Sequence, residues 1–188
     1  MAANFVSEIW GLFFTLGIFI VILEFREWLE WKSVEDRVKK RIGRQIRMLF
    51  AELSIFCEVE RVHFDPHSKE KRIKLIEKQL NTLASEKIRF TKEANEDLLK
   101  KDLRLRYERL LDSKRNNLGR IEERYSKFLG SEVRASLMDI QEYLDGLSLE
   151  LRVRHIKNTV FFESISNLVG KIMKEILKLK RKGIWEDW

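Results

Sequence analysis

The stretch IWGLFFTLGIFIVIL, residues 9–23, lies close to the N-terminus and contains no charged side chain. A bilayer core of about 30 Å requires about 20 helical residues, so a span must include the flanks of this run. Residues 5–25 form a helix of about 31 Å, which places Glu8 and Glu24 near opposite headgroup layers. The sequence therefore predicts a single transmembrane helix. Three tryptophans lie where interfacial anchors are expected: Trp10, Trp28 and Trp31.

The flanks of this run indicate the orientation of the predicted anchor. Residues 1–8 contain no Lys or Arg, and no small-residue cleavage site follows the run, so an uncleaved anchor is favoured over a cleaved signal peptide. A buried helix of a water-soluble domain is the remaining alternative. Basic residues cluster after the run, which predicts a cell-membrane protein with its N-terminus outside and its C-terminal body cytoplasmic. They are Arg26, Lys32, Arg37, Lys39, Lys40, Arg41, Arg44 and Arg47.

One face of the predicted anchor carries small and polar residues. Ser7, Gly11 and Thr15 recur every four residues and therefore share a helix face, with Glu8 beside them. Small residues at this spacing allow two membrane helices to pack closely, and a carboxyl group at the bilayer edge is favoured against protein. The pattern suggests a partner helix on this face. The favoured interpretation is that serine and glycine are common in membrane helices and that Glu8 extends to water.

The composition of the remaining chain indicates long helices. The 188 residues carry 36% charged side chains, one proline and a formal net charge of +7. Cys57 is the sole cysteine, so an internal disulfide is excluded, in agreement with a reducing compartment. The basic excess fits the anionic inner leaflet of a membrane at least as well as nucleic acid. We predict an all-α protein.

Apolar periodicity divides the chain after the anchor into helices. A first helix is expected over residues 33–62, ending at the turn around Pro66. A second pattern covers residues 68–129, and we expect it to bend or break near residues 91–95, with a second weak point at residues 116–119. The alternative is an unbroken helix with a flexible joint after Trp31. Gly130 and Ser131 mark the next boundary, and Gly183 is expected to end the last helix.

The last predicted helix carries a clear heptad pattern, which indicates coiled-coil character. A similar row resumes at Phe161, after a stretch of less consistent phase at residues 151–158 that marks a kink, a repacking or a change of partner. We predict an anchor over residues 1–31, an antiparallel three- or four-helix cytoplasmic bundle over 32–182 and a tail over 183–188. The heptad row is the predicted assembly face: Val133, Leu137, Ile140, Leu144, Leu147 and Leu151.

One cluster contains residues that can bind a metal ion. His63, Asp65 and His67 alternate in a turn, and Cys57 lies near them in sequence. Their spacing matches no established zinc pattern, so a helix end, an Asp-Pro turn and a buried apolar cysteine form the favoured account. We expect no metal site, no cofactor and no catalytic residue, because the chain has no phosphate loop, activated nucleophile or paired carboxylates in an apolar setting.

Two groups of basic residues are candidates for binding an anionic surface. Each residue near a membrane contributes up to about 1 kcal/mol of attraction to anionic headgroups. The C-terminal group also suits nucleic acid, which is the less favoured partner, or a solvated helix end. The two groups are Lys39, Lys40, Arg41 and Arg44, and Lys178, Lys180, Arg181 and Lys182.

Together these patterns predict a non-enzymatic, single-pass membrane protein whose helical bundle binds other protein subunits, or itself, as a scaffold or accessory subunit. A homo-oligomeric channel or membrane-disrupting effector is the first alternative, with several anchors surrounding a path near Glu8 and Thr15. A membrane-tethered nucleic-acid binder is the second alternative.

Overall fold

The structure is a computed structural model of the whole chain. It describes the backbone of residues 2–57, 69–85, 88–152 and 158–184, and the side chains of residues 17–57, 74–85, 88–152 and 160–184. The chain divides into two compact units, Met1–Val38 and Lys39–Trp188, whereas the sequence predicts a boundary after residue 31. The described backbone is almost entirely helical, which confirms the all-α class.

Six α-helices and one short 3-10 helix account for the described secondary structure, apart from one isolated bridge. They are α1 (Ala2–Ser54), α2 (Lys69–Ser85), α3 (Lys92–Leu99), α4 (Lys101–Tyr125), the 3-10 helix Ser126–Phe128, α5 (Ser131–Arg152) and α6 (Asn158–Arg181). Helix α1 contributes to both units, and the other helices belong to the second unit.

No helical window within the described side chains has both the length and the hydropathy needed to cross a bilayer. This finding does not support the predicted transmembrane helix. Residues 9–16, the first part of the apolar run, lie outside the described side chains.

The second unit is a bundle in which neighbouring helices run in opposite directions. Helix α4 packs on α5, α5 on α6, and α6 on α2. Ion pairs between α4 and α5 join Arg115 to Asp145 and Arg152 to Glu108, so residue numbers rise on one helix as they fall on the other. The part of α1 within this unit is antiparallel to α4 in the same way, since Arg41 lies near Tyr125 and Glu52 near Lys114. The predicted helical bundle is confirmed, and the described residues contain six α-helices where three or four were expected.

The core of the bundle is built from aliphatic side chains contributed by α1, α2, α4, α5 and α6. Full burial of one such side chain stabilises the folded state by about 1.5–3 kcal/mol relative to exposure. The side chains with under 2% exposure are Ile42, Ile46, Leu49, Leu80, Leu118, Leu137, Ile140, Leu144, Ile172, Met173, Ile176 and Leu179.

The predicted end of the first helix near residue 62 is wrong, because α1 ends at Ser54. The Phe56 carbonyl accepts a hydrogen bond from the Thr91 amide at 3.0 Å, and Cys57 forms an isolated antiparallel bridge with Phe90. Thr91 also begins α3, since its side chain accepts a hydrogen bond from the Ala94 amide at 3.1 Å. This pairing between distant segments competes with further helix at residues 55–57.

The expected break near residues 91–95 is confirmed, because α2 ends at Ser85 and α3 begins at Lys92. A second break, which the sequence did not indicate, lies at Lys100, whose backbone is extended at φ −80° and ψ 121°. The expected weak point at residues 116–119 is wrong, because α4 continues through it to Tyr125. Leu118 within this stretch is 1% exposed, so core packing there favours the helix.

The C-terminal heptad pattern does not belong to one helix. Helices α5 and α6 pack side by side in opposite directions, and Ser164 donates a hydrogen bond to Glu150 at 2.7 Å. Gly183 ends α6 as predicted, with φ +72°. The Gly183 amide donates to the Lys180 carbonyl at 3.0 Å and the Ile184 amide to the Leu179 carbonyl at 3.1 Å, which is the Schellman arrangement.

Candidate binding surfaces

The first candidate surface is a stretch of α1 that exposes large apolar side chains on every side. Residues 18–23 are consecutive, so at about 100° of rotation per residue they surround the helix completely. A helix that is apolar all round is normally buried in protein or lipid. We call residues 18–31 the exposed apolar segment. Its large apolar residues are each 45% to 64% exposed: Ile18, Phe19, Ile20, Val21, Ile22, Leu23, Phe25, Trp28, Leu29 and Trp31.

Aromatic and charged groups alternate at the C-terminal end of this segment. The rings of Phe25 and Trp28 stack with their centroids 5.8 Å apart, and the Lys32 ammonium lies 4.9 Å from the Trp28 ring centroid. Arg26 donates a hydrogen bond to Glu30 at 3.2 Å on the same exposed helix surface. Rings bordered by charged groups are typical of a membrane interface.

The predicted packing face within the anchor stays a prediction. Ser7, Glu8, Gly11 and Thr15 belong to α1, and their side chains lie outside the described residues. The same is true of the predicted anchor Trp10. Trp28 and Trp31, the other two predicted anchors, are about half exposed.

The predicted assembly row lies inside the chain's own bundle. Val133 is partly buried, and the other five residues of the row are between 0% and 4% exposed: Leu137, Ile140, Leu144, Leu147 and Leu151. Helix α5 carries this row and packs against both α4 and α6. While the bundle has this fold, these side chains are not accessible to another chain.

The second candidate surface is a groove between α1 and α4. Arg41 and Gln45 contribute one wall, and the rest comes from the C-terminal half of α4. The Arg41 guanidinium donates a hydrogen bond to the Tyr125 hydroxyl at 3.5 Å, and the Arg124 guanidinium lies 5.5 Å from the Tyr125 ring centroid. We call this the basic groove. Its lining is Arg41, Gln45, Asn117, Arg120, Ile121, Glu123, Arg124 and Tyr125.

The predicted basic residues near the start of the second unit divide between exposed and partly buried positions. Arg41 and Arg44 are exposed, as is Lys40, whereas Lys39 is partly buried. Of these four, Arg41 lines the basic groove.

The predicted C-terminal basic group is largely neutralised by carboxylates. Lys178 pairs with Glu175 at 2.6 Å within α6. Lys180 pairs with Glu77 on α2, and Lys182 pairs with Glu132 on α5. These contacts raise the pKa of Lys178, chiefly through its hydrogen bond to Glu175, and the Lys182 ammonium lowers the pKa of Glu132. Arg181 is exposed. The group therefore presents less free positive charge than its sequence suggests.

The candidate metal ligands are only partly described. His63, Asp65 and His67 lie outside the described residues, and Cys57 is 3% exposed. The Cys57 thiol donates a hydrogen bond to the Leu53 carbonyl at 3.3 Å, and burial raises its pKa to about 12. A neutral buried thiol is a poor metal ligand, because metal binding requires the thiolate. Within the described residues, no three acidic, cysteine or histidine side chains form a group suited to a metal ion.

The sequence did not single out three residues of the basic groove, Arg120, Arg124 and Tyr125. Arg120 and Arg124 are four residues apart on a helix and therefore share a face, which is a signal available in the sequence. Helix α4 carries many other charged residues, however, and only the packing of α1 beside α4 brings Arg41 to the same place.

The fold is that of a helical-bundle protein whose first helix, α1, also carries the exposed apolar segment. Comparison with known proteins finds no matching family model, no similar curated protein and no similar solved structure.

Proposed function

We propose that this chain is a single-pass membrane-anchored protein whose helical bundle acts as a scaffold or accessory subunit for other proteins at the membrane. The observation that carries the proposal is the exposed apolar segment, residues 18–31 of α1. Six consecutive large apolar side chains in this segment, residues 18–23, are each at least 45% exposed. A lipid environment would cover all of them, and it requires no complementary protein surface.

The energetics of insertion support the anchor. Eleven of the fifteen residues at 9–23 are Leu, Ile, Phe or Val. At about −0.3 to −0.6 kcal/mol each, they favour insertion by roughly 3 to 7 kcal/mol. The basic residues that follow the run place the bundle on the cytoplasmic side in this proposal, with the N-terminus outside.

A partner for the bundle is supported by apolar side chains at one of its ends. Helices α1 and α5 end where α4 and α6 begin, because neighbouring helices are antiparallel. Four large apolar side chains near this end are between 44% and 72% exposed: Ile55, Leu99, Leu149 and Val160. In the proposed role another protein subunit, or a second copy, covers these side chains.

The anchor is tested by cell-free synthesis of the full-length chain with liposomes, followed by alkaline carbonate extraction. We expect the chain to stay with the lipid pellet. Replacing both Ile18 and Val21 by Arg should release it, since two arginines in a span cost about 5 to 7 kcal/mol. The matched control replaces Leu149 and Val160 by Arg, two residues of the bundle that are similarly exposed at 64% and 70%. Release of the unsubstituted chain by carbonate, or equal release of both variants, would contradict the anchor.

The scaffold role is tested by native mass spectrometry of the full-length protein extracted gently from cell membranes. A complex with unrelated chains is the expected result, and the arginine control at Leu149 and Val160 should weaken it. A closed homo-oligomer without other proteins would instead support the channel or effector alternative, and a chain without any partner would contradict the scaffold role.

A further inference from the structure

The basic groove brings together positive charge that the described residues do not neutralise. Of its eight lining residues, three are arginines and one, Glu123, is acidic. The three arginines form no ion pair with any described residue. Arg41 contacts the Tyr125 hydroxyl instead, and Arg124 contacts the Tyr125 ring. The groove therefore holds guanidinium groups that are available to an anion.

Three other arginines of the bundle, at the contact between α4 and α5, are paired with carboxylates. Arg115 pairs with Asp145, Arg134 with Glu122 at 2.9 Å, and Arg152 with Glu108 and Asp112. All of these pairs join α4 to α5. Hence these arginines between α4 and α5 are paired. On the side of α4 that faces α1, Lys114 is paired with Glu52, whereas the basic groove holds three arginines and one carboxylate.

We infer that the basic groove is a binding site for a phosphate group. Guanidinium groups bind phosphate oxygens through paired N–H donors, which makes arginine the preferred residue for such sites. The Tyr125 hydroxyl and the Asn117 and Gln45 side chains supply further neutral hydrogen-bonding groups along the same groove. A carboxylate presents two oxygens, whereas a phosphodiester adds two ester oxygens to its two charged ones and a phosphomonoester presents three charged oxygens, so phosphate offers these donors more acceptors.

The phosphate source that suits a membrane-anchored chain is the headgroup of an anionic phospholipid. This choice of source rests on the proposed function, whereas the affinity of the groove for phosphate does not. In this arrangement the groove selects anionic lipid at the surface to which the chain is attached.

The test is native mass spectrometry of the full-length protein in micelles of a neutral detergent. Phosphatidylglycerol is added in one series, zwitterionic phosphatidylcholine in a second, and soluble glycerol 3-phosphate in a third. The test variant carries Arg120→Gln with Arg124→Gln. The control variant carries Arg106→Gln with Arg109→Gln, which removes the same charge from exposed positions of the same helix outside the groove.

The unsubstituted chain should bind phosphatidylglycerol more tightly than phosphatidylcholine. Two surface charges at about 1 kcal/mol each correspond to a loss of roughly tenfold or more in affinity for the test variant, and the control variant should stay within about twofold of the original. An equal loss of affinity in both variants would show that binding depends on net charge alone, and it would overturn the site. Equal binding of the two lipids, without any glycerol 3-phosphate binding, would also overturn it.

Binding of glycerol 3-phosphate as tight as that of phosphatidylglycerol, with the same loss in the test variant, would support the phosphate site and overturn its assignment to lipid. None of these results depends on carbonate extraction, so failure of the groove and failure of the anchor can be told apart.

Discussion

Glu52 on α1 and Lys114 on α4 form an ion pair in the bundle, with the Glu52 carboxylate 2.8 Å from the Lys114 ammonium. The Lys114 side chain is 9% exposed, and that of Glu52 is 26% exposed. Charged groups withdrawn from water to this degree are tolerated when they are paired. The ion pair therefore links α1 to α4 at this level of the bundle.

We predict that Glu52→Gln destabilises the bundle, because it leaves the buried Lys114 ammonium without a counter-charge. The expected loss is about 2 kcal/mol or more, as for other buried pairs from which one partner is removed. Thermal unfolding of the full-length protein in detergent, followed by circular dichroism, measures the loss. The variant that combines Glu52→Gln with Lys114→Met should regain most of it. A double variant no more stable than the single one would contradict this account.

Glu175 presents the opposite case, and we predict that Glu175→Gln leaves the stability unchanged or raises it by up to about 1 kcal/mol. Glu175 is 5% exposed, and one of its carboxylate oxygens, like one of Glu52, has no hydrogen-bond partner among the described residues, so the two pairs differ in their lysines. The side chain of its partner Lys178 is 60% exposed, so water can solvate the ammonium once the carboxylate is gone. The same unfolding measurement applies. A loss as large as that of Glu52→Gln would show that the Glu175 pair is stabilising.

We predict that Gly119→Ala stabilises α4 by about 0.5 to 1 kcal/mol, since alanine is the better helix former. A methyl group at this position would lie 2.8 Å from the Gln141 side-chain oxygen, the far end of a flexible side chain that can move aside. Gly183→Ala is the contrasting variant: its φ of +72° disfavours alanine, so a loss of about 1 kcal/mol is expected. Destabilisation by Gly119→Ala would mean that Gln141 is held rigidly.

We predict that Cys57 resists alkylation by iodoacetamide in the folded protein and reacts rapidly once the protein is unfolded. Burial raises its pKa from 9.0 to about 12, so the reactive thiolate is scarce up to pH 10. The pKa of the thiol is higher in the folded than in the unfolded protein. Burial of the neutral thiol therefore stabilises the folded state fully below pH 9, and this stabilisation is lost as the pH rises towards 12. The control is Ile55→Cys in a Cys57→Ala background, because residue 55 is 72% exposed. Equal reaction rates for the two cysteines would contradict the predicted burial.

Local patterns in the sequence were sufficient for the helical class and for several boundaries. The break near residues 91–95 and the stop at Gly183 were predicted because capping-type residues at a helix start and glycine at a helix end satisfy backbone groups through short-range contacts. The weak point at residues 116–119 was predicted from the same propensities and is wrong. There Leu118 packs in the core, and tertiary packing outweighs a propensity difference of about 1 kcal/mol.

The binding surfaces were harder to predict than the helices. The heptad row from Val133 to Leu151 was assigned to assembly with other proteins, yet its described residues lie in the chain's own core. An apolar helix face has the same sequence pattern whether its partner belongs to the same chain or to another. Likewise the lysines near the C-terminus gave no sign that Glu77 and Glu132, distant in sequence, neutralise two of them.

The sequence by itself determined that the chain is helical, that residues 9–23 are apolar throughout and that basic residues follow them, because these properties depend on neighbouring residues alone. The tertiary structure decided which helices are neighbours, which charges are paired and where an unbalanced groove lies between α1 and α4. Those properties arise from contacts between residues far apart in the chain, such as Arg41 and Tyr125, and a periodic pattern carries no information about which helix its face will meet.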